Sequence, residues 1–173
     1  SLFRQILDGE IVYKDNKYYY LIDKAELPIS AAAASIRELA PIEQMVKKVE
    51  LSKTAILIEE PEAHLHPLKQ RMMADITSSL LRAGAYLQIT THSDYYLRRI
   101  NEFMLINKLK ERSNFNNIAQ FVGIIPELAI DATKVSAYLL QRREDGSAEI
   151  IEQNLEEGIP FASFHDALKE SLS

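Results

Sequence analysis

Residues 54 to 67 confine this chain to few folds. Four apolar residues, Ala55 to Ile58, run unbroken into three carboxylates, Glu59, Glu60 and Glu62, and two histidines, His64 and His66. A short, uninterrupted apolar run predicts a strand buried on both faces, as in a parallel sheet. Open α/β sheets bind ligands just past the carboxyl ends of their strands. Here that position carries acid after acid, which costs free energy unless a cation, a hydrogen-bond donor or water meets them. A charged or polar occupant is expected there.

The rest of the chain narrows the choice. Its 173 residues, 47% of them apolar, suffice for one domain over 1–173 with a real core. A net charge of -5 argues against a broadly basic surface and leaves nucleic acid open only through a local patch. The absence of Cys excludes a disulfide scaffold, a thiolate zinc site and Cys catalysis. No apolar run approaches the roughly 18 residues of a membrane span, so no membrane partner is expected. Ser1 to Gln5 has neither an initiator Met nor a signal-peptide profile, which reads as a chain entered midway and a cytoplasmic location.

In chain order, residues 2 to 7 predict a helix stopped by Asp8 and Gly9. Glu10 to Tyr13 and Tyr18 to Asp23 predict a hairpin turning at Lys14 to Lys17. Ala31 to Val49 predicts a helix with Ser30 as N-cap and a kink or reset at Pro41. Such a start offers free N–H groups suited to phosphate. Pro67 opens the next helix, which carries Met72, Ile76 and Leu80 on one face and ends at Gly84. Glu62 reads as an acid at that helix start, favoured by the dipole.

Ala85 to Thr90 predicts a second strand, followed by a helix of about a dozen residues capped by Ser93. The alternation favours a parallel βαβ unit. Residues 107 to 117 read as a polar loop, and Val135 to Arg142 with Ala148 to Gln153 as a second hairpin. Tyr95 and Tyr96 read as packing residues. Phe161 to Leu172 predicts a terminal amphipathic helix.

If the two apolar strands lie side by side, Glu60 and His92 open onto the same edge. A carboxylate there can hold Mg²⁺ directly or through water, and its neighbour can take a proton from attacking water. A nearby His can donate to a phosphate oxygen. That combination suits nucleoside triphosphate hydrolysis, in which positioning and electrostatics carry most of the catalysis. A metal-dependent hydrolase built on Glu59, Glu60, Glu62, His64, His66 and His92 is an alternative, although His64 and His66 would point to opposite sides of an extended segment.

Ile56 to Pro67 resembles the Walker B and D-loop of ABC-type ATPases of the OLD-like, RecF and SMC branch. Thr90 to Asp94 resembles their H-loop, one helix and one strand later. Leu27 to Pro41 is similar to their signature stretch and its helix. The resemblance implies the carboxyl-terminal lobe of an ATPase head: a mainly parallel sheet flanked by helices, with peripheral hairpins. It implies ATP and Mg²⁺ as cofactors, with Glu59 as the Mg²⁺-water residue, Glu60 as the general base and His92 as the switch histidine. Ser30, Ala34 and Ser35 would then abut the γ-phosphate held by another subunit, while Ala63 and His64 in the D-loop would meet that subunit. The implied partners are a P-loop lobe and a second copy in a head-to-head dimer.

Two departures accompany the resemblance. Ala34 and Ser35 stand where a Ser-Gly pair is usual, which also fits a regulatory module whose chemistry has lapsed. The P-loop pattern is absent, because none of Gly9, Gly84, Gly123, Gly146 and Gly158 precedes Lys. The chain alone is therefore expected to be inactive.

Overall fold

A helix turning sharply into a hairpin opens the chain. The computed structural model describes residues 2–110, 115–121, 123, 125–143 and 145–161. Most of the anticipated terminal helix, and parts of the 107–117 loop, lie outside those residues. Contacts divide the chain into two units, Ser1–Tyr96 and Leu97–Ser173.

In the first unit, α1 (Leu2–Leu7) buries Phe3, Ile6 and Leu7. It stops where Asp8 turns left-handed and Gly9 passes against Tyr20. A Cβ on Gly9 would fall 2.5 Å from the Tyr20 ring and 2.4 Å from the Leu21 carbonyl oxygen, so only glycine fits. The Tyr20 hydroxyl donates to the Leu7 carbonyl at 2.7 Å, tying sheet to helix.

Strands β1 (Glu10–Lys14) and β2 (Lys17–Ile22) are antiparallel. Asp15 and Asn16 join them at φ 50° and 62°, the backbone of a two-residue turn with both centres left-handed. A third strand, β3 (Ala25–Pro28), pairs with β2 and has no counterpart in the sequence reading.

The next helix is shorter than the sequence suggests. Helix α2 spans Ala34–Val46 and runs through Pro41 without resetting. Ser30 is not its cap: Ile29–Ala31 form a 3₁₀ turn, Ala32 is extended, and Ala33 takes the N-cap position with no side-chain hydrogen bond. The extended Ala32 separates the two helical segments and moves the start past Ser30.

Strand β4 (Ala55–Glu59) pairs in parallel with β5 (Tyr86–Thr90), Ile56 opposite Leu87 and Ile58 opposite Ile89. Helix α3 (Pro67–Arg82) connects them, with Pro67 in its first turn and Gly84 beyond its end at φ 94°. Its buried stripe passes through Met73, Ile76, Thr77 and Leu80, one residue away from the expected Met72.

Burial of β4 on both faces does not hold. Ile56 and Ile58 point inward, whereas Leu57 is 64% exposed and Tyr86 on β5 is 77% exposed. Alternation along a strand sends Ala55, Leu57 and Glu59 to the second face, and nothing among the described residues covers it.

Helix α4 (Asp94–Lys108) runs on into the second unit, where Phe103, Met104 and Ile106 are buried. Ala119 of α5 (Phe115–Phe121), Leu128 and Ile130 are buried too, and the Ile130 N–H donates to the Phe103 carbonyl at 3.2 Å. Strands β6 (Tyr138–Arg142) and β7 (Ala148–Glu152) form the second antiparallel hairpin. The Asn101 side chain grips the backbone of one residue twice. It donates to the Ile159 carbonyl at 2.9 Å and accepts the Ile159 N–H at 2.7 Å. Gly158 turns beside it at φ 104°, where a Cβ would lie 2.8 Å from the amide. The class is mixed α/β, a parallel strand pair flanked by helices plus antiparallel hairpins, as the sequence predicts.

Candidate functional site

Parallel pairing brings the carboxyl ends of β4 and β5 to one rim, Glu59 opposite Thr90. The Glu60 N–H still reaches across to the Thr90 carbonyl at 2.9 Å, but its own φ is 42°. That left-handed turn redirects the Glu60 side chain toward the second loop. His92 Nε2 lies 3.5 Å from Glu60 Oε1, with the two side chains 87% and 51% exposed.

Magnitudes say what this pair is not for. A solvent-exposed pair is worth at most about 1 kcal/mol, while a non-glycine residue in the left-handed region costs roughly 1–2 kcal/mol. The tip gives up stability to hold a geometry. Backbone strain of that sort clusters at working sites.

Support comes from below. Glu62 is 5% exposed, and its Oε1 accepts from the Thr91 hydroxyl at 2.5 Å and from the His92 N–H at 3.1 Å. It is therefore not a helix-start acid, since α3 begins only at Pro67. Ser93 caps α4 by accepting the Tyr96 N–H at 3.1 Å, and its hydroxyl donates to Gln70 Oε1 on α3 at 2.5 Å. Deeper still, the Tyr96 and Thr77 hydroxyls share a hydrogen bond of 2.8 Å. Burial pushes the Tyr96 phenol well above its ordinary range. Tyr96 thus packs as expected; Tyr95 is half exposed.

The other candidates are placed separately. Glu59 is exposed on the open face of the sheet beside Leu57. Ala63 donates its N–H to the Glu60 carbonyl at 2.8 Å and closes the acidic turn. His64, left-handed at φ 59°, faces Glu38 of α2 with Nε2 to Oε1 at 3.5 Å. Ser30 is exposed and its carbonyl accepts from Arg37 at 3.4 Å; Ala34 and Ser35, half-buried, form the first turn of α2. No hydrogen bond or ion pair joins Ser30, Ala34 or Ser35 to Glu60 or His92 among the described residues.

His66 caps α3, its Nδ1 accepting the Leu68 N–H at 3.4 Å. With His66 turned to the helix, His64 to Glu38 and Glu62 under Thr91, the set imagined for a metal hydrolase is dispersed. Among the described residues, no group of three or more His, Asp or Glu could hold a metal ion.

The profile of a family described as the AAA ATPase domain matches residues 1–97, which contain the whole rim. The chain belongs to that family. No curated protein matches it in sequence. The chain is similar to a solved structure from work on ATP-driven dimerization and DNA-stimulated activation of SMC ATPases. The TM-score is 0.53 at 11% identity, over 99% of this chain and 87% of that one. At that identity the likeness concerns the fold alone. No helix among the described residues of this AAA ATPase chain is long and apolar enough to cross a membrane.

The sequence did not reveal Glu62 as a bridge or Glu38 as a neighbour of His64. Thr91 is 29 residues from Glu62, and no local signal spans that interval.

Proposed function

We propose that this chain is the Walker B, D-loop and H-loop lobe of a Mg²⁺-dependent ATPase head, acting in the intact protein through dimerisation. The observation that carries the reading is the approach of Glu60 to His92 across two parallel strand tips at 3.5 Å. The adjacent carboxylates Glu59 and Glu60 are hard oxygen donors, and Mg²⁺ typically takes one or two such groups together with waters and substrate phosphates. That donor chemistry fits the ion, which when bound would neutralise charge on the transferring phosphoryl group.

In this reading Glu60 orients water and accepts its proton, and His92 donates to a phosphate oxygen. The 3.5 Å separation puts both groups within reach of one phosphoryl group and its attacking water. Glu59, on the open face, would hold the ion. Signature-like residues Ser30, Ala34 and Ser35 offer the start of α2 to a nucleotide held by the partner head. Ala63 and His64 sit toward the same dimer seam, linked to α2 through Glu38. Phosphate donors of a P-loop would come from another lobe, so the isolated chain is expected to turn over no ATP. The SMC work concerns ATP-driven dimerization and DNA-stimulated activation, and both are candidate properties of this protein.

The test is Glu60→Gln in the intact protein: hydrolysis lost, ATP binding kept. Unchanged turnover would remove Glu60 from the role. One observation favours a second reading, a module whose chemistry has lapsed: α2 starts at Ala33 and Ala34 with no side-chain cap. Installing Ser at 34 and Gly at 35 separates the two, since activity appearing only then identifies the natural form as lapsed.

A further inference from the structure

We infer that Glu62 is a positioning residue, a buried carboxylate clamp that fixes His92 opposite Glu60. The inference rests on the hydrolytic reading of that pair. It deepens that reading by assigning the control of their spacing to a third group.

The Glu60–His92 contact is too exposed to maintain itself. Its geometry must be imposed by the two backbones that carry it. Glu60 and Glu62 belong to one tight turn, closed by Ala63 N–H to Glu60 carbonyl at 2.8 Å and Leu65 N–H to Glu62 carbonyl at 3.1 Å. Glu62 Oε1 then takes the Thr91 hydroxyl and the His92 N–H, one from each of two consecutive residues. Thr91 Oγ1 in turn accepts the Ser93 N–H at 3.1 Å, which fixes the hydroxyl from its other side. A single oxygen thus spans the turn bearing Glu60 and the loop bearing His92.

The second oxygen argues that this clamp is not there for stability. Glu62 Oε2 is buried and accepts no hydrogen bond from the described residues. A buried carboxylate with an orphaned oxygen is a poor way to stabilise a fold, and an apolar side chain of similar size would fill the space at lower cost. What an apolar group could not do is hold the His92 N–H.

The experiment measures steady-state ATP hydrolysis with Mg²⁺ in the intact protein, comparing Glu62→Ala, Glu62→Gln, Thr91→Val, His92→Ala and the Glu62→Ala/His92→Ala double variant. Glu62→Ala should lower kcat about as much as His92→Ala, on the order of tenfold or more, with KM within about twofold. The double variant should be no slower than His92→Ala, because both remove one function. Glu62→Gln keeps an acceptor at Oε1 and should restore most of kcat, even though its amide N–H groups find no partner at the Oε2 position and lower the melting temperature. A merely structural residue would not separate kcat from stability in that way. Should Glu62→Ala fail to fold, Thr91→Val removes one of the two donors and should give a partial loss of kcat.

Amide hydrogen exchange supplies a readout apart from turnover: the His92 N–H should exchange faster in Glu62→Ala and Thr91→Val than in Glu62→Gln. Wild-type kcat in Glu62→Ala, losses that multiply in the double variant, or unaltered His92 exchange in Glu62→Ala would each overturn the clamp. Full activity in both Glu60→Gln and His92→Ala would instead overturn the hydrolytic reading, leaving the exchange arm to judge the clamp.

Discussion

Of the turns that put non-glycine residues in the left-handed region, two differ in what they gain. Asp15 and Asn16, at φ 50° and 62°, join β1 to β2. Both are types that enter this region readily, and their twist matches the strands they connect. Asn16 also accepts a hydrogen bond from the Tyr13 hydroxyl. Glu60 and His64, at φ 42° and 59°, bracket the acidic turn after β4. Glutamate has no short side chain to offset the strain, and its carboxylate points at an exposed imidazole. The first turn serves its sheet; the second spends stability on a spatial relation. A mismatch between residue type and backbone marks the second as the working one.

The largest expected effect breaks the comparison most directly. Glu60→Gln in the intact protein should slow hydrolysis by about 100-fold or more, the range typical of losing a general base. Its unfolding free energy, read by urea titration, should stay within about 0.5 kcal/mol of the parent. A drop in stability with activity retained would make the acidic turn structural like the first.

Next comes the buried support under the rim. Thr77→Val should leave the Tyr96 hydroxyl without a partner and cost about 1–3 kcal/mol by chemical denaturation. The sign of the accompanying pH dependence follows from burial. Tyr96 resists ionisation when folded, so the native state holds a proton that the unfolded chain releases above about pH 10. Stability is therefore complete below that pH and falls as pH rises, by up to about 1.4 kcal/mol per pH unit. Tyr96→Phe should flatten that alkaline slope.

Smaller effects sharpen the contrast between the turns. Asn16→Ala should cost about 1 kcal/mol, since alanine meets the left-handed penalty without the side-chain bond. Glu60→Asn should go the other way and gain up to about 1 kcal/mol, with hydrolysis lost. The smallest is His64→Ala, expected to shift stability by under about 0.5 kcal/mol because its contact with Glu38 is exposed. A similar gain in both turns on easing the backbone would erase the distinction.

What the sequence made legible were features with a local cause. Pro67 placed the start of α3, Gly84 its end, Ser93 the cap of α4, and the two apolar runs their parallel pairing. The misread features depend on neighbours distant in the chain. A four-residue apolar run cannot say whether both its faces are covered, so Leu57, expected inside, lies outside. Ser30 had the right chemistry for a cap, but the extended Ala32 moved the helix start beyond its reach. Glu62 looked like any acid near a helix, because its partners Thr91 and His92 meet it only once β5 lies beside β4.

Asn101 has a consequence for how the second unit comes apart. By gripping Ile159 at both its carbonyl and its N–H, one side chain stands in for a neighbouring strand. A ladder frays rung by rung, whereas these two bonds share one side chain and are lost together. Replacing Asn101 with Leu should therefore open the backbone at Ile159 to limited proteolysis, while the β6–β7 hairpin remains intact.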